Sequence, residues 1–138
     1  MNKKSKIYIA GQEGMVGQAI YRLFKKKNYT VISCGRKDLD LTNQQNVNQW
    51  FKKNKPEIVI NAAGRVGGIL DNSKFQTDYI YINTMIGFNV LNASLNGNVK
   101  KLINLGSACI YPKNSKQPIM EEDLLTSKLE PTNEGYAT

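Results

Sequence analysis

A turn with three glycines, set between a short apolar run and an amphipathic segment, constrains the fold of this chain more than any other feature. Residues 7–10 are apolar, and the seven residues after them read GQEGMVG, with glycine at positions 11, 14 and 17. Behind the turn, apolar residues recur at helical spacing as far as Phe24. The pattern predicts a buried strand, a tight turn and a helix from Met15 to Lys27.

Strands and helices continue to alternate along the chain. The predicted strands cover 30–34, 57–61 and 100–105, with a further short strand at 38–41. The predicted helices cover 42–54, capped by Thr42, and 72–96, which ends before Gly97, and the chain from Pro112 onward reads as loop. Helical crossovers between strands build a parallel sheet covered on both faces. The sequence therefore predicts an α/β fold with a doubly wound parallel sheet, the Rossmann fold.

Length and composition limit the kinds of protein this can be. With 138 residues, 41% of them hydrophobic, the chain can form one compact domain, residues 1–138. Cys34 and Cys109 lie far apart and histidine is absent, so no metal site is expected and the cysteines fit a reducing, cytoplasmic location. The first apolar run is too short for a signal peptide or a membrane span.

The net charge of +8 raises the question of a polyanionic partner. The lysines are dispersed along the chain rather than gathered with aromatic residues into a basic stripe. A solvated, lysine-rich surface is therefore favoured, and neither a nucleic acid nor a membrane is expected as a partner.

The glycine turn is the first candidate binding site. A pyrophosphate approaches backbone N–H groups only where side chains are small, and a helix N-terminus favours negative charge. The residues that meet these conditions are Gly11, Gly14, Met15, Val16 and Gly17, with Ala62 and Ala63 at the carboxyl end of a buried strand. The pattern predicts that the chain binds a dinucleotide.

The end of the second predicted strand bears on which dinucleotide is bound. An acidic residue at this point would bind a ribose 2′-hydroxyl, whereas a basic one tolerates a 2′-phosphate. The chain reads Cys34-Gly35-Arg36-Lys37 here, and Arg36 favours NADP. The alternative is that Arg36 and Lys37 are an ordinary exposed pair.

Four segments carry a resemblance to a known family. They read GQEGMVG at 11–17, NAAGRVGGI at 61–69, LGSACIYPK at 105–113 and LEPTNEGYA at 129–137. The chain resembles, over essentially its whole length, the GDP-L-fucose synthases of the extended short-chain dehydrogenase/reductase superfamily. The segments at 105–113 and 129–137 are the more specific ones, because glycines in a tight turn are common.

The resemblance implies an activity and roles for particular residues. Such enzymes epimerise GDP-4-keto-6-deoxy-mannose at C3 and C5 and then reduce the C4 ketone with NADPH. By resemblance, Cys109 is the base of the epimerisation, Tyr136 is the proton donor of the reduction and Ser107 hydrogen-bonds the C4 oxygen. Further cofactor contacts are implied at Asp40, Leu41, Leu105, Gly106 and Tyr136.

The resemblance also implies parts that lie outside these 138 residues: a lysine four positions after Tyr136, a histidine acid and a C-terminal substrate domain. We therefore expect a truncated dinucleotide-binding domain that is inactive alone and belongs to a homodimer when full length. The alternatives are another nucleotide-sugar epimerase or dehydratase of the superfamily and a dinucleotide-binding fragment without catalysis.

Three positions depart from the family pattern. Glu13 stands where an arginine is usual near the adenosine phosphate, and its carboxylate would repel a 2′-phosphate, so NAD is possible in place of NADP. Arg65 replaces a common lysine, and Gly135 replaces a frequent proline.

Overall fold

The computed structural model describes residues 2–138 and divides them into two compact units, comprising residues 2–64 with 84–105, and residues 65–83 with 106–138. The helices and strands, in chain order, are β1 (Ile7–Ala10), α1 (Met15–Lys26), β2 (Val31–Ile32), α2 (Gln44–Asn54), β3 (Ile58–Asn61), α3 (Ile69–Lys74), α4 (Gln76–Asn96), β4 (Lys101–Asn104) and α5 (Glu134–Ala137). Two 3-10 turns lie at Ala108–Ile110 and Glu121–Asp123.

The first unit is built on a four-stranded parallel sheet in the order β2-β1-β3-β4. Its register brings Ala10, Asn61 and Asn104 side by side at the carboxyl ends of the three longer strands. All strands run the same way because each is joined to the next through a helical crossover. The predicted α/β fold with a doubly wound parallel sheet is confirmed.

Alternation along the strands sends side chains to two separate cores. Tyr8 and Val59 face the cluster formed with Val47 and Phe51 of α2 and with Val90 of α4. Ile7, Ile9, Ile58 and Ile60 face the other side, where Ile20 and Phe24 of α1 pack against them. Helices therefore cover both faces of the sheet.

The second unit contains α3, α5 and the start of α4. Within it, Gln76 donates a side-chain hydrogen bond to the carbonyl of Pro131 (3.2 Å) and accepts one from the N–H of Gly135 (3.3 Å). Lys113 and Glu130 form an ion pair at 2.8 Å. These contacts hold the last residues of the chain against the N-terminal end of α4.

The structure corrects the prediction for residues 30–42. The second strand covers only Val31–Ile32, because the chain turns at Gly35, whose carbonyl accepts from the N–H groups of Asp38 (3.1 Å) and Leu39 (3.0 Å). The short strand predicted at 38–41 is wrong for the same reason. Thr42 is not the cap of α2: its N–H and hydroxyl donate to the Asp40 carboxylate, and Asn43 caps the helix by accepting from Asn46 (3.0 Å).

The long helix predicted at 72–96 is two helices. α3 begins earlier, at Ile69, and the backbone leaves the helical region at Phe75, with φ −121° and ψ 39°, before α4 starts. No proline or glycine marks this break in the sequence. The predicted end before Gly97 is confirmed. The loop predicted from Pro112 onward contains the 3-10 turn at Glu121–Asp123 and the short helix α5.

Candidate functional site

The glycine turn after β1 forms as the sequence predicts. Gly11 has a positive φ of 76°, and a Cβ there would lie 2.6 Å from the Ala63 Cα. A Cβ on Gly17 would lie 2.1 Å from the Gly11 carbonyl oxygen. Gly11 and Gly17 are therefore required by the packing of the turn itself, before any ligand is considered.

Gly14 has a different role at the start of α1. It is the N-cap residue, no side chain caps the helix there, and Met15 and Val16 in the first turn are exposed. The first N–H groups of a helix have no partner within it. This uncapped N-terminus suits a phosphate group, so the residues present fit the pyrophosphate of a dinucleotide.

The carboxyl ends of the central strands carry the next group of predicted residues. Ala62 donates its N–H to the Ala10 carbonyl (3.0 Å), and Leu105 donates to the Asn61 carbonyl (3.0 Å). The buried Asn61 side chain donates to Asn104 (2.8 Å) and accepts from the N–H of Ala63 (3.3 Å). Ala62, Ala63 and Leu105 therefore share one edge of the sheet with Gly11, the edge where ligands bind in such folds.

The chain beyond β2 brings Glu13 and Arg36 together. The Glu13 carboxylate accepts a hydrogen bond from the Arg36 N–H at 3.2 Å, and a Cβ on Gly35 would lie 2.9 Å from the other carboxylate oxygen. The Glu13 carboxylate thus lies beside the segment that follows β2, where the Asp38 carboxylate also approaches Gly35. No local pattern in the sequence links Glu13 to Arg36, which stand 23 positions apart.

Asp40 and Leu41 have structural partners of their own. The hydrogen bonds from the Thr42 N–H and hydroxyl lower the pKa of the Asp40 carboxyl, and the Arg36 charge adds to this effect. The Leu41 carbonyl accepts from the side chain of Asn89 (2.9 Å). The adenine contact expected of both residues stays a prediction.

In the second unit, Ser107 and Cys109 lie on one 3-10 turn. The Ser107 hydroxyl accepts from the Cys109 N–H at 3.2 Å and so caps the turn. The Cys109 sulfur accepts a hydrogen bond from the Asn133 side chain at 3.3 Å. The cysteine is thus fixed at both its backbone and its sulfur, and Gly106 directly precedes this turn.

Tyr136 lies on α5, whose first turn is fixed by Asn133. The Asn133 carbonyl accepts from the N–H of Tyr136 (2.9 Å) and of Ala137 (3.0 Å). The Tyr136 ring packs edge-on against Tyr79, with 6.1 Å between the ring centroids. Sequence reasoning missed both neighbours, although Asn133 stands only three positions before the tyrosine.

Tyr79 contacts a cluster of charged side chains formed by Arg65, Asp71 and Asp78. Its hydroxyl donates to Asp71, and this hydrogen bond, together with burial, raises the pKa of the Tyr79 phenol. The Arg65 guanidinium lies 4.8 Å from the Tyr79 ring centroid and pairs with Asp78 at 2.8 Å. This arrangement fixes the surface on which Tyr136 rests.

Two further properties concern the described chain as a whole. Within residues 2–138, no three acidic, cysteine or histidine side chains lie close enough together to bind a metal ion. In the same range, no helix has the length and hydropathy that crossing a bilayer requires.

Comparison with known proteins decides the family. The model of the NAD dependent epimerase/dehydratase family matches residues 7–138. The chain belongs to this family. Among its relatives, a GDP-L-fucose synthase of Sinorhizobium fredii is 50% identical over 132 residues, which cover 96% of the chain. The resemblance to GDP-L-fucose synthases is therefore confirmed.

Solved structures of related reductases agree with this membership. The GDP-mannoheptose C4 reductase MlghC from Campylobacter jejuni, solved with NADP bound, is 40% identical with a TM-score of 0.95, over 99% of this chain and 44% of that one. A GDP-L-fucose synthetase from Naegleria fowleri bound to NADP is 30% identical with a TM-score of 0.87, over 99% and 42%. The chain also spans 42% of the length of the Sinorhizobium relative.

Proposed function

We propose that this chain is the dinucleotide-binding part of an enzyme that epimerises GDP-4-keto-6-deoxy-mannose at C3 and C5 and reduces its C4 ketone to give GDP-L-fucose. The observation that carries the proposal is the fixed position of Cys109, held by the Ser107 hydroxyl at 3.2 Å and by the Asn133 amide at 3.3 Å. A small buried cysteine needs neither contact to pack. A cysteine that removes protons from carbon needs both its position and its charge controlled.

The epimerisation uses the acidity of the carbons beside the ketone. C3 and C5 both adjoin C4, so removing either proton gives an enolate whose charge rests on the C4 oxygen. The Cys109 thiolate takes the proton in this scheme. The histidine acid that the family resemblance places outside residues 1–138 would return a proton to the opposite face and so invert the carbon. The Ser107 hydroxyl stabilises the charge on oxygen.

The reduction uses Tyr136 and Ser107. The dinucleotide, when bound, supplies the hydride that reaches C4. Tyr136 gives its phenolic proton to the C4 oxygen as negative charge develops there, and the Ser107 hydroxyl donates a second hydrogen bond to that oxygen. The pyrophosphate of the dinucleotide is bound by Gly11, Gly14, Met15, Val16 and Gly17, with Asp40, Leu41, Ala62, Ala63, Leu105, Gly106 and Tyr136 as further contacts.

We propose NADP(H) as the dinucleotide. The exposed cations Arg36 and Lys37 support this assignment, as do the NADP-bound relatives. NAD(H) is the alternative, because the Glu13 carboxylate lies against the backbone of Arg36.

A second copy of the protein is the proposed partner, beside the GDP-sugar substrate. Phe88, Leu91 and Leu95 recur on one face of α4 and are 64%, 53% and 77% exposed. An exposed apolar stripe of this kind suits helix packing between subunits. In sedimentation experiments the full-length protein is expected to be a dimer, and a Phe88→Glu variant is expected to be a monomer.

Isotope exchange with solvent tests the proposed chemistry. In the full-length protein in D₂O, Cys109→Ala is expected to slow deuterium entry at C3 and C5 by about 10²–10⁴-fold, the usual value of a general base. Tyr136→Phe is expected to slow NADPH oxidation by a similar factor while exchange continues. Exchange that is unaffected by loss of Cys109 would remove the proposed base.

A second candidate is a GDP-sugar C4 reductase that acts without epimerisation. It is favoured by the similarity to MlghC, a GDP-mannoheptose C4 reductase at 40% identity. Such a reductase would oxidise NADPH with a GDP-keto-heptose as substrate, and no deuterium from D₂O would enter the sugar. This result would distinguish it from an enzyme that also epimerises. A protein that binds the dinucleotide and turns over neither sugar would be the inactive alternative.

A further inference from the structure

Asn133 uses its side chain in an unusual way for the residue at a helix N-terminus. An asparagine at this position normally accepts a hydrogen bond from the second or third N–H of the helix. In α5 the backbone carbonyl of Asn133 accepts from Tyr136 and Ala137, and the Asn133 side chain makes no capping bond. The side chain therefore contributes little to starting the helix.

The same side chain makes one contact elsewhere. Its Nδ2 donates to the sulfur of Cys109 at 3.3 Å. Its Oδ1 is buried and has no hydrogen-bond partner among residues 2–138. A buried amide oxygen without a partner costs free energy, so an apolar or smaller residue would suit the fold better.

We propose that Asn133 is a positioning residue for Cys109. Its amide N–H donates to the Cys109 sulfur and so sets the direction of the atom that must accept the proton from carbon. Through its backbone, Asn133 also fixes the first turn of the helix that carries Tyr136. One residue thus holds the base of the epimerisation and starts the helix that bears the proton donor of the reduction.

The inference rests on the proposed function, because it assigns Asn133 a role in epimerisation. A merely structural role would affect both reactions together. A role in positioning Cys109 affects proton removal and spares the reduction of a keto sugar that is already epimerised.

The experiment uses Asn133→Asp and Asn133→Leu in the full-length protein. Both side chains branch at Cγ as asparagine does, aspartate with nearly the same volume and leucine with a larger one, and neither donates an N–H. Each is therefore expected to slow deuterium entry at C3 and C5 by about 10- to 100-fold, the value of a hydrogen bond to a charged group. Reduction of the epimerised keto sugar should change less than about threefold, because the hydrogen bonds from Tyr136 and Ala137 go to the backbone carbonyl of Asn133 and not to its side chain. Equal loss of both reactions in the two variants, or unchanged deuterium entry, would overturn the proposal.

Asn43→Asp is the matched control. It makes the same chemical change at the N-cap of α2, where the side chain accepts from Asn46 at 3.0 Å and a carboxylate can accept equally well. It should leave both reactions at the parental rate. A loss of deuterium entry in this control as large as in Asn133→Asp would assign the effect to charge alone and overturn the proposal.

Alkylation separates this proposal from the proposed function. With Cys34→Ser as background, mass spectrometry of the peptide that contains Cys109 follows its alkylation by iodoacetamide without any sugar substrate. Asn133→Leu should slow this alkylation by about tenfold, the lower end of the same range. The parent protein could catalyse no deuterium entry while Cys109 is still alkylated more slowly in Asn133→Leu than in the parent. In that case the proposed function fails and the Asn133 contact stands. An alkylation rate unchanged by Asn133→Leu would contradict the contact itself.

Discussion

The carboxylate of Glu13 accepts a hydrogen bond from the backbone N–H of Arg36 at 3.2 Å, although the two residues stand 23 positions apart. Glu13 comes from the glycine turn, and Arg36 follows the second strand. In Rossmann folds, an acidic group after the second strand binds the 2′-hydroxyl of the adenosine ribose. In this chain the Glu13 carboxylate, which comes from the glycine turn, lies against the backbone of Arg36 after the second strand. It lies near Arg36 and Lys37, two cations that favour a 2′-phosphate.

The first prediction concerns the preference between NADP and NAD, on which the Glu13 carboxylate and the cations Arg36 and Lys37 have opposite effects. Glu13→Gln removes a negative charge and should raise the affinity for NADP⁺ relative to NAD⁺ by about five- to thirtyfold, which corresponds to 1–2 kcal/mol of relieved repulsion. Calorimetric titration of both dinucleotides into the full-length protein measures the ratio. Glu122→Gln, which neutralises an exposed carboxylate in the second unit, is the control and should leave the ratio unchanged. An unchanged ratio in Glu13→Gln would show that Glu13 does not face the ribose.

The second prediction concerns the glycine turn. Gly17→Ala should destabilise the protein by roughly 1–3 kcal/mol, the cost of overpacking, because its Cβ would lie 2.1 Å from the Gly11 oxygen. Gly14→Ala is the matched control, since its nearest atom would be 3.3 Å away and a small shift relieves the contact. Urea unfolding compares the two variants. Equal stability of both would contradict the close approach of Gly17 to Gly11.

The third prediction concerns the dependence of stability on pH. Glu57 accepts from Lys100 at 2.6 Å, and this bond, followed by the one from the Lys6 N–H, lowers the pKa of the Glu57 carboxyl below its ordinary value of 4.5. A group whose folded pKa is lowered stabilises the fold above its unfolded pKa and loses this effect as the pH falls through the folded value. Glu57→Gln should therefore be less stable than the parent at pH 7.

The difference between parent and Glu57→Gln should shrink below pH 4.5 and vanish once the carboxyl is protonated in both states. Urea midpoints measured from pH 7 to pH 3 test the trend. In a Lys100→Met background, where the strongest partner is gone, the difference at pH 7 should be smaller. A difference that stays constant with pH would assign the effect of Glu57→Gln to packing.

Sequence patterns were sufficient for the features that depend on local periodicity and on glycine. The doubly wound sheet, the helix from Met15 and the end of α4 follow from strand length, helical spacing and turn residues. The turn at Gly35 was missed because Leu39 is a buried apolar residue and reads as part of a strand, while its N–H bonds to the Gly35 carbonyl. The break at Phe75 has no local signal at all.

The relations within the candidate site depended on contacts between distant segments. Cys109 and Asn133 stand 24 positions apart, and no periodicity links them. A contact with a distant segment also involves Gly135, which replaces a frequent proline of the family pattern. A Cβ there would lie 2.5 Å from the Gln76 carbonyl oxygen, so the close approach of α4 explains the glycine. Such pairings are set by the folded chain and become visible only in the structure.

Identifying the product that the full-length protein makes from GDP-4-keto-6-deoxy-mannose and NADPH in D₂O tests the proposed activity. We expect GDP-L-fucose with deuterium at C3 and C5 and one NADPH oxidised for each sugar. A C4-reduced sugar without deuterium at these carbons would contradict the proposed activity. So would a protein that binds the dinucleotide but oxidises no NADPH.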